Sequence, residues 1–535
     1  MGTLFTRRQL VGVSGIVWSR IVLATANADA EDVRAKLSPA TGSPPLASLP
    51  QETAVAGNAY SYDNALHYGA DPTGERDSTQ ALTNAIANMA ASGGSVYIPP
   101  GTYVVSSTIR CNKPGWIHGA GFGTVIAPNF AQEDVFEVTS QGVDITDMAF
   151  SPSVRRTGGY YINVTGSILN YQRLERLLLS NCYNGIGVTG EGAANQYRIV
   201  SVLMTLVANG IGVNITTRSN DVDIYLEDIF MIGPESGAQA SAGVQIVNCG
   251  DVTLNNVGTV ACGHGLNIVP GNGQIAQAVY VTDCFFDSGS GNGVNANPRE
   301  GGTIEWMKLS DSWACTNAHG VVFGTTGAGA INLVELNNIT ASNNGPGGLG
   351  SFGGKGQGVW ISKNVIKHTI IGGDFSHNAN GILEGIGVRD FRIIGAICGS
   401  AGQFDSNTNY GIVLEGKNDN MYISGCDLQG NANGAVDIGT ANQTNAQSCV
   451  IRDNLGYVTK SQGSVTLDPS ATRTIVRHGL AKRPTVNQIV LQSTSSLGLA
   501  SQVWVSATSA ATFSISTNVN PGVGVTMSWR AGLFQ

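Results

Sequence analysis

Along residues 222–345 apolar and polar positions alternate with period two, in short runs that recur in phase. Leu226, Leu254, Val281, Leu309 and Leu336 stand two residues before Asp228, Asn256, Asp283, Asp311 and Asn338. Ile224, Val252, Val279, Met307 and Val334 stand four residues before. The positions between are polar or amphipathic: Tyr225, Thr253, Tyr280, Lys308 and Glu335, then Glu227, Asn255, Thr282, Ser310 and Asn337. This alternation predicts strands with one face inward and one outward. The Asp/Asn positions lie 28, 27, 28 and 27 residues apart, so each strand is one rung of a regular array. A single unit cannot bury its own inner face. Stacking the units makes one continuous core, with strands in columns about 4.8 Å apart.

A second signature recurs at Asn184-Gly185, Asn209-Gly210, His264-Gly265, Asn292-Gly293, His319-Gly320, Asn380-Gly381, Tyr410-Gly411 and Asn433-Gly434, each before a short apolar run. It predicts turns in which Asn and Gly supply positive φ. Leucine-rich repeats are excluded, because their L-x-x-L-x-L-x-x-N block is approached only at residues 174–181. The expectation is an all-β chain with a parallel β-helix over residues 58–460. At its N-terminal end Asp77-Ser78-Thr79-Gln80 has the spacing of a helix capping box. The helix after it, to about Ala91, carries Leu82, Ile86 and Met89 on one face and covers the open end of the array. After about Gly463 the repeat stops. Alternating runs at 464–467, 474–476, 486–492, 502–506, 512–516 and 526–529 predict a small antiparallel β domain over residues 461–535.

The N-terminal end carries specific motifs. They are His67-Tyr68-Gly69-Ala70-Asp71-Pro72-Thr73-Gly74, Asp77-Ser78-Thr79, Gly94-Ser95-Val96-Tyr97-Ile98-Pro99-Pro100-Gly101-Thr102-Tyr103 and Gly119-Ala120-Gly121. Residues 58–460 thereby resemble the pectate-lyase-like superfamily of right-handed parallel β-helix proteins, of the pectate-lyase-3 type shared by secreted polysaccharide-degrading enzymes and phage tailspikes. The resemblance implies the fold and an extracellular polysaccharide as partner. It assigns no catalytic residue, since the motifs mark the cap and first coils. Arg477-His478-Gly479-Leu480, Trp504-Val505-Ser506 and Ser528-Trp529-Arg530 resemble small β modules that end some phage tail and lectin-like proteins, which implies carbohydrate binding or trimer assembly.

Composition narrows the classes. The 535 residues include 71 Gly but only 12% charged residues, against an average near 25%, which excludes a coiled coil. A hydrophobic share of 42% excludes disorder. A net charge of −8 argues against sequence-independent binding to nucleic acid. Nine Cys, an odd number with no CxxC pair, read as buried free thiols, not as a disulfide framework or metal site. At the start, Arg7-Arg8 precede apolar runs at 10–18 and 21–24, and Ala26-Asn27-Ala28-Asp29-Ala30 follow. This predicts a twin-arginine-like signal peptide over residues 1–30, a linker over 31–57, and a secreted or periplasmic protein with no membrane span once the signal is removed.

Glycosidic bond hydrolysis calls for two carboxyl groups, about 5–5.5 Å apart for retention and about 6.5–9.5 Å apart for inversion. A stacked column supplies such spacings. Asp283 and Asp311 share a column on adjacent coils, Glu335 lies on the next coil three residues off-column, and Asp228 and Asp287 are near. Asp283, Asp311 and Glu335 are the expected catalytic residues. Phe285 and Trp313, with Phe230, offer a platform for sugar rings, and Tyr280, Lys308, Asp287 and Asp228 complete the expected substrate contacts. Asn256 and Asn338 in the same column support a turn ladder instead, because Asp and Asn are both favoured at turns. An eliminating lyase is the alternative enzyme. It needs a base and a cation, with Tyr280 and Lys308 or His377, Arg299 and Arg389 as candidates, and Ca²⁺ is its possible cofactor; hydrolysis requires none. A tailspike-like or adhesin protein that only binds is the non-catalytic alternative. Gly119-x-Gly121-x-Gly123 reads as a turn, not a nucleotide loop.

Overall fold

The computed structural model describes residues 62–166, 170–190, 194–217, 222–234, 236–324, 329–345, 356–399, 406–439, 442 and 449–533. The expected signal peptide and linker lie outside the described residues. Strands from Tyr62–Asn64 to Cys449–Arg452 pair in parallel into one continuous winding sheet. Each coil contributes to three walls. In the middle coils the first wall holds Ile275–Thr282, Thr303–Ser310 and Ala330–Asn337, and the second holds Phe285–Asp287 and Trp313–Cys315. The third holds Cys262–Ile268, Asn292–Ala296 and His319–Phe323.

The expected register is present residue for residue. Leu226, Leu254, Val281, Leu309 and Leu336 are Cα partners on consecutive coils, and all are buried. The column continues through Ile370, Ile393, Ile423 and Ile451. Burying each such side chain contributes about 1.5–3 kcal/mol, which is why this inward column holds only Leu, Val and Ile, while neighbouring inward positions also take Met307, Phe391 and Met421. One exception is polar. His368 and Glu384 meet in the core, Nε2 to Oε1 at 3.0 Å, with His368 stacked on Phe391 at 5.1 Å between centroids.

The expected positive φ is present at Asn209 (63°) and Gly434 (136°), but most of the recurring Gly residues have a different cause. Gly265, Gly293, Gly320, Gly381 and Gly411 are not among the positive-φ residues. A Cβ on Gly320 would stand 2.5 Å from the Gly358 carbonyl oxygen of the next coil, and one on Gly358 would stand 2.5 Å from that of Gly381. At these positions close approach between coils, not turn geometry, demands glycine. Two repeats also shift in register: Asn184 pairs with Ile211 rather than Asn209, and Tyr410 pairs with Gly434 rather than Asn433. Just before the third wall, Asn317, Asn344, Asn378 and Asn407 are buried and stacked. Asn378 donates to the Ala341, Phe375 and Ser376 carbonyls at 2.8, 3.0 and 2.8 Å and accepts from the Asn344 backbone at 3.0 Å. These amides satisfy backbone groups that the corner between walls would otherwise leave unpaired.

The cap helix spans Thr79–Asn88, with Leu82, Ile86 and Met89 buried under it. Asp77 does not cap it as expected. Ser78 is the N-cap, and Asp77 accepts from the Thr79 backbone (3.0 Å) and the Ser106 hydroxyl (2.7 Å). At the other end two three-stranded antiparallel sheets face each other over Phe513, Ile515, Met527 and Trp529. All six runs expected there are strands, but 486–488 is a 3₁₀ turn in which Gln488 accepts from the Thr485 N–H at 2.9 Å. Trp529 is core, packed edge-on to Phe513, whereas Trp504 lies on an outer face. His478 is buried, its Nδ1 accepting from the Leu480 N–H at 2.9 Å. All nine cysteines are free and buried; burial pushes the Cys111, Cys262 and Cys315 thiols up to about 12. Among the described residues no helix is long and apolar enough to cross a membrane.

Candidate functional site

The Asp/Asn column forms the corner between the first and second walls. Asp228, Asn256, Asp283, Asp311 and Asn338 have φ of 54°, 52°, 53°, 49° and 52°. A left-handed corner residue favours Gly, Asn or Asp, which bear this conformation at least cost, although Arg176 and Ser201 hold it at the same corner on the preceding coils, with φ of 50° and 54°. Asn256 Nδ2 donates to Asp228 Oδ1 at 2.7 Å, and Asn338 Nδ2 donates to Asp311 Oδ1 at 2.7 Å. The turn-ladder geometry is therefore present. It leaves one irregularity: Asp283 and Asp311 are consecutive, two exposed carboxylates on neighbouring rungs with an amide on either side. Rungs are about 4.8 Å apart, which falls close to the separation that paired-carboxylate chemistry uses.

The walls on either side hold the other expected residues. On the first wall Tyr280, Lys308 and Glu335 are consecutive Cα partners facing outward. Lys308 Nζ lies 3.0 Å from Glu335 Oε1, so the expected third carboxylate and the expected cation are engaged with each other. On the second wall Phe230, Gly258, Phe285 and Trp313 form one column. Gly258 makes room for the Phe230 ring, since a Cβ there would meet Phe230 Cδ2 at 2.5 Å. Phe285 and Trp313 touch, with centroids 5.8 Å apart. The Trp313 indole N–H is buried with no hydrogen-bond partner. Asp287 stands two residues after Phe285 on the same strand, and burial holds its carboxyl above the usual range despite hydrogen bonds from Thr316 and Ser288. A half-buried aromatic strip thus runs beside a ridge of carboxylates.

The remaining lyase candidates lie on different parts of the coil. Arg389 opens a first-wall strand, His377 is an exposed turn residue with φ 58°, and Arg299 is exposed after a third-wall strand. No group of three or more His, Cys, Asp or Glu among the described residues is placed to hold a metal ion.

Residues 62–285 match the family model described as rhamnogalacturonase A/epimerase, pectate lyase-like. No curated protein matches the chain. Among solved structures, a double mutant of the tailspike protein of E. coli bacteriophage HK620 is similar with a TM-score of 0.50 at 11% identity, covering 88% of this chain and 93% of that one. The tailspike protein gp49 of Pseudomonas phage LKA1 has a TM-score of 0.46 at 13% identity, over 88% of this chain and all of that one (100%). The A-module of the mannuronan C-5 epimerase AlgE6 of Azotobacter vinelandii has a TM-score of 0.43 at 15% identity, over 68% of this chain and 98% of that one. At these identities the likeness is one of fold.

Proposed function

We propose that this chain, whose residues 62–285 match a pectate lyase-like domain, acts outside the cell on a polysaccharide laid along its outer wall and hydrolyses its glycosidic bonds. The observation that carries the reading is the pair Asp283 and Asp311, adjacent on the corner ridge and flanked by the strip of Phe230, Phe285 and Trp313. Sugar rings present an apolar face to aromatic side chains, and the strip places them against the ridge. One carboxyl then gives its proton to the leaving oxygen while the other attacks the anomeric carbon or activates water. Asp287, Asp228, Tyr280 and the Lys308–Glu335 pair contact the hydroxyls. The family model is named for enzymes of carbohydrate chains, which supports the class. Elimination is less well supported, because Lys308 is already paired with Glu335.

The second reading is a tailspike-like protein that binds without cleaving. The corner geometry favours it, since five residues at φ near +50° explain Asp and Asn without chemistry. A polysaccharide panel separates the two. Wild-type protein is expected to release reducing ends without the ultraviolet absorbance of unsaturated sugars. Asp283→Asn and Asp311→Asn should each lower that rate at least about a hundredfold with thermal unfolding nearly unchanged. Rates that survive both substitutions reject this site, absorbance with reducing ends indicates elimination, and binding with neither signal leaves the second reading.

A further inference from the structure

A separate cluster lies on the N-terminal coils. Register places Trp116, Asp144, Arg173, Arg198 and Tyr225 in one outward column of the first wall. Tyr97, His118, Thr146 and Glu175 form the next column. Trp116 is 44% exposed, yet its ring is fixed from two directions. One face stacks on His118, with centroids 3.9 Å apart and planes at 18°. Its indole N–H donates to Thr146 Oγ1 at 2.8 Å, and that hydroxyl donates to Asp147 Oδ2 at 2.7 Å. Arg176 holds Asp147 through two bonds of 2.5 and 2.6 Å and also reaches Glu175, which meets Arg173. Packing gives no reason to anchor a solvent-facing ring so thoroughly. Such support is what holds a binding group in place before its ligand arrives.

We infer that the column from Trp116 to Tyr225 is a second ligand ledge, which takes a chain of pyranose rings stacked on the exposed part of the Trp116 ring with hydroxyls bonded to Asp144, Arg173 and Arg198. This rests on the reading that the protein binds polysaccharide. Asp144 is half-buried, and burial raises its proton affinity against the pull of Arg173, so the carboxyl both donates and accepts to hydroxyls over a wider pH range. Arg198 lies 5.3 Å over the Tyr225 ring, which orients its planar fork. The ledge spans four coil spacings, roughly 19 Å. It ends at the coil that carries Asp228 and Phe230, so a polymer seated on it continues toward the ridge and strip.

Affinity electrophoresis tests the ledge on the full chain, in native gels containing polygalacturonate, alginate or dextran. The polymer that retards wild-type protein should bind Trp116→Ala and Arg198→Ala roughly three- to tenfold more weakly. Trp116→Phe, which keeps a ring, should recover part of the loss. Thermal unfolding of each variant shows that it is folded. Retardation of Trp116→Ala and Arg198→Ala equal to wild type, with Trp313→Ala impaired, rejects the ledge and leaves the proposed function standing. A wild-type protein that none of the three polymers retards removes both.

Discussion

Burial raises the proton affinity of the Asp287 carboxyl, and the hydrogen bonds from Thr316 and Ser288 only partly offset this. The folded state therefore keeps the proton at pH values where the unfolded chain has lost it. The resulting penalty is absent below the ordinary carboxylate value, about 3.9, grows as pH rises through it, and is complete above the raised value. Asp287→Asn should accordingly raise the unfolding temperature at pH 7 and lose that advantage near pH 3; a pH-independent difference would contradict the assignment. Asp147 runs the other way. The Arg176 guanidinium holds its carboxyl below the usual range, so this pair stabilises above the ordinary value and the gain is lost as pH falls through the lowered one. Arg176 is exposed, which keeps the effect within about 1 kcal/mol. Asn378 matters more. Its truncation to Ala strands several buried backbone groups, each costing about 1–3 kcal/mol, and chemical denaturation should register a loss of at least about 3 kcal/mol. At this scale the sequence shows residue type without purpose. Asp283 and Asp311 satisfy a left-handed corner and a catalytic pair equally well, while buried Asn378 looks in sequence like any surface amide.

Individual elements were the most legible part. Period-two alternation marked the first wall because its inner face is apolar and its outer face wet on every coil, from Leu226 to Leu336. The same contrast marked all six strands of the C-terminal sheets. Val486–Gln488 departs from the pattern because the Gln488 N–H closes a 3₁₀ turn onto the Thr485 carbonyl and the Gln488 side chain accepts from the Thr485 N–H, which an apolar pattern does not record. The Gly column misled in cause. Gly and Asn at turns suggest positive φ, but the constraint at Gly320 comes from the next coil, some forty residues away in sequence. Gly320→Ala forces a Cβ against the Gly358 carbonyl and the Ala341 Cβ, and should destabilise by about 1–3 kcal/mol. A thermal transition as high as wild type would show that the coils part without cost. The Trp116 column is illegible in the sequence for a related reason: apart from the Arg173–Arg198 pair its residue type changes from coil to coil, so no repeat betrays it.

For the whole molecule, one continuous core from the cap helix to Cys449–Arg452 holds every cysteine but Cys315, which is buried against Ser342. Native protein should react with a thiol reagent scarcely at all and yield nine thiols once unfolded; rapid titration of several thiols in the folded state would mean that the coils open. Winding also explains why function was harder to read than fold. The corner and the strip are assembled from segments about 28 residues apart, and only the register states that Phe230, Gly258, Phe285 and Trp313 are neighbours. The most direct test is a crystal structure of the Asp283→Asn/Asp311→Asn double variant with an oligosaccharide of whichever polymer the wild-type protein binds. The sugar rings should lie over Phe285 and Trp313 with a glycosidic oxygen between the two substituted side chains. Sugar bound on another wall, with this corner bare, would contradict the proposed site.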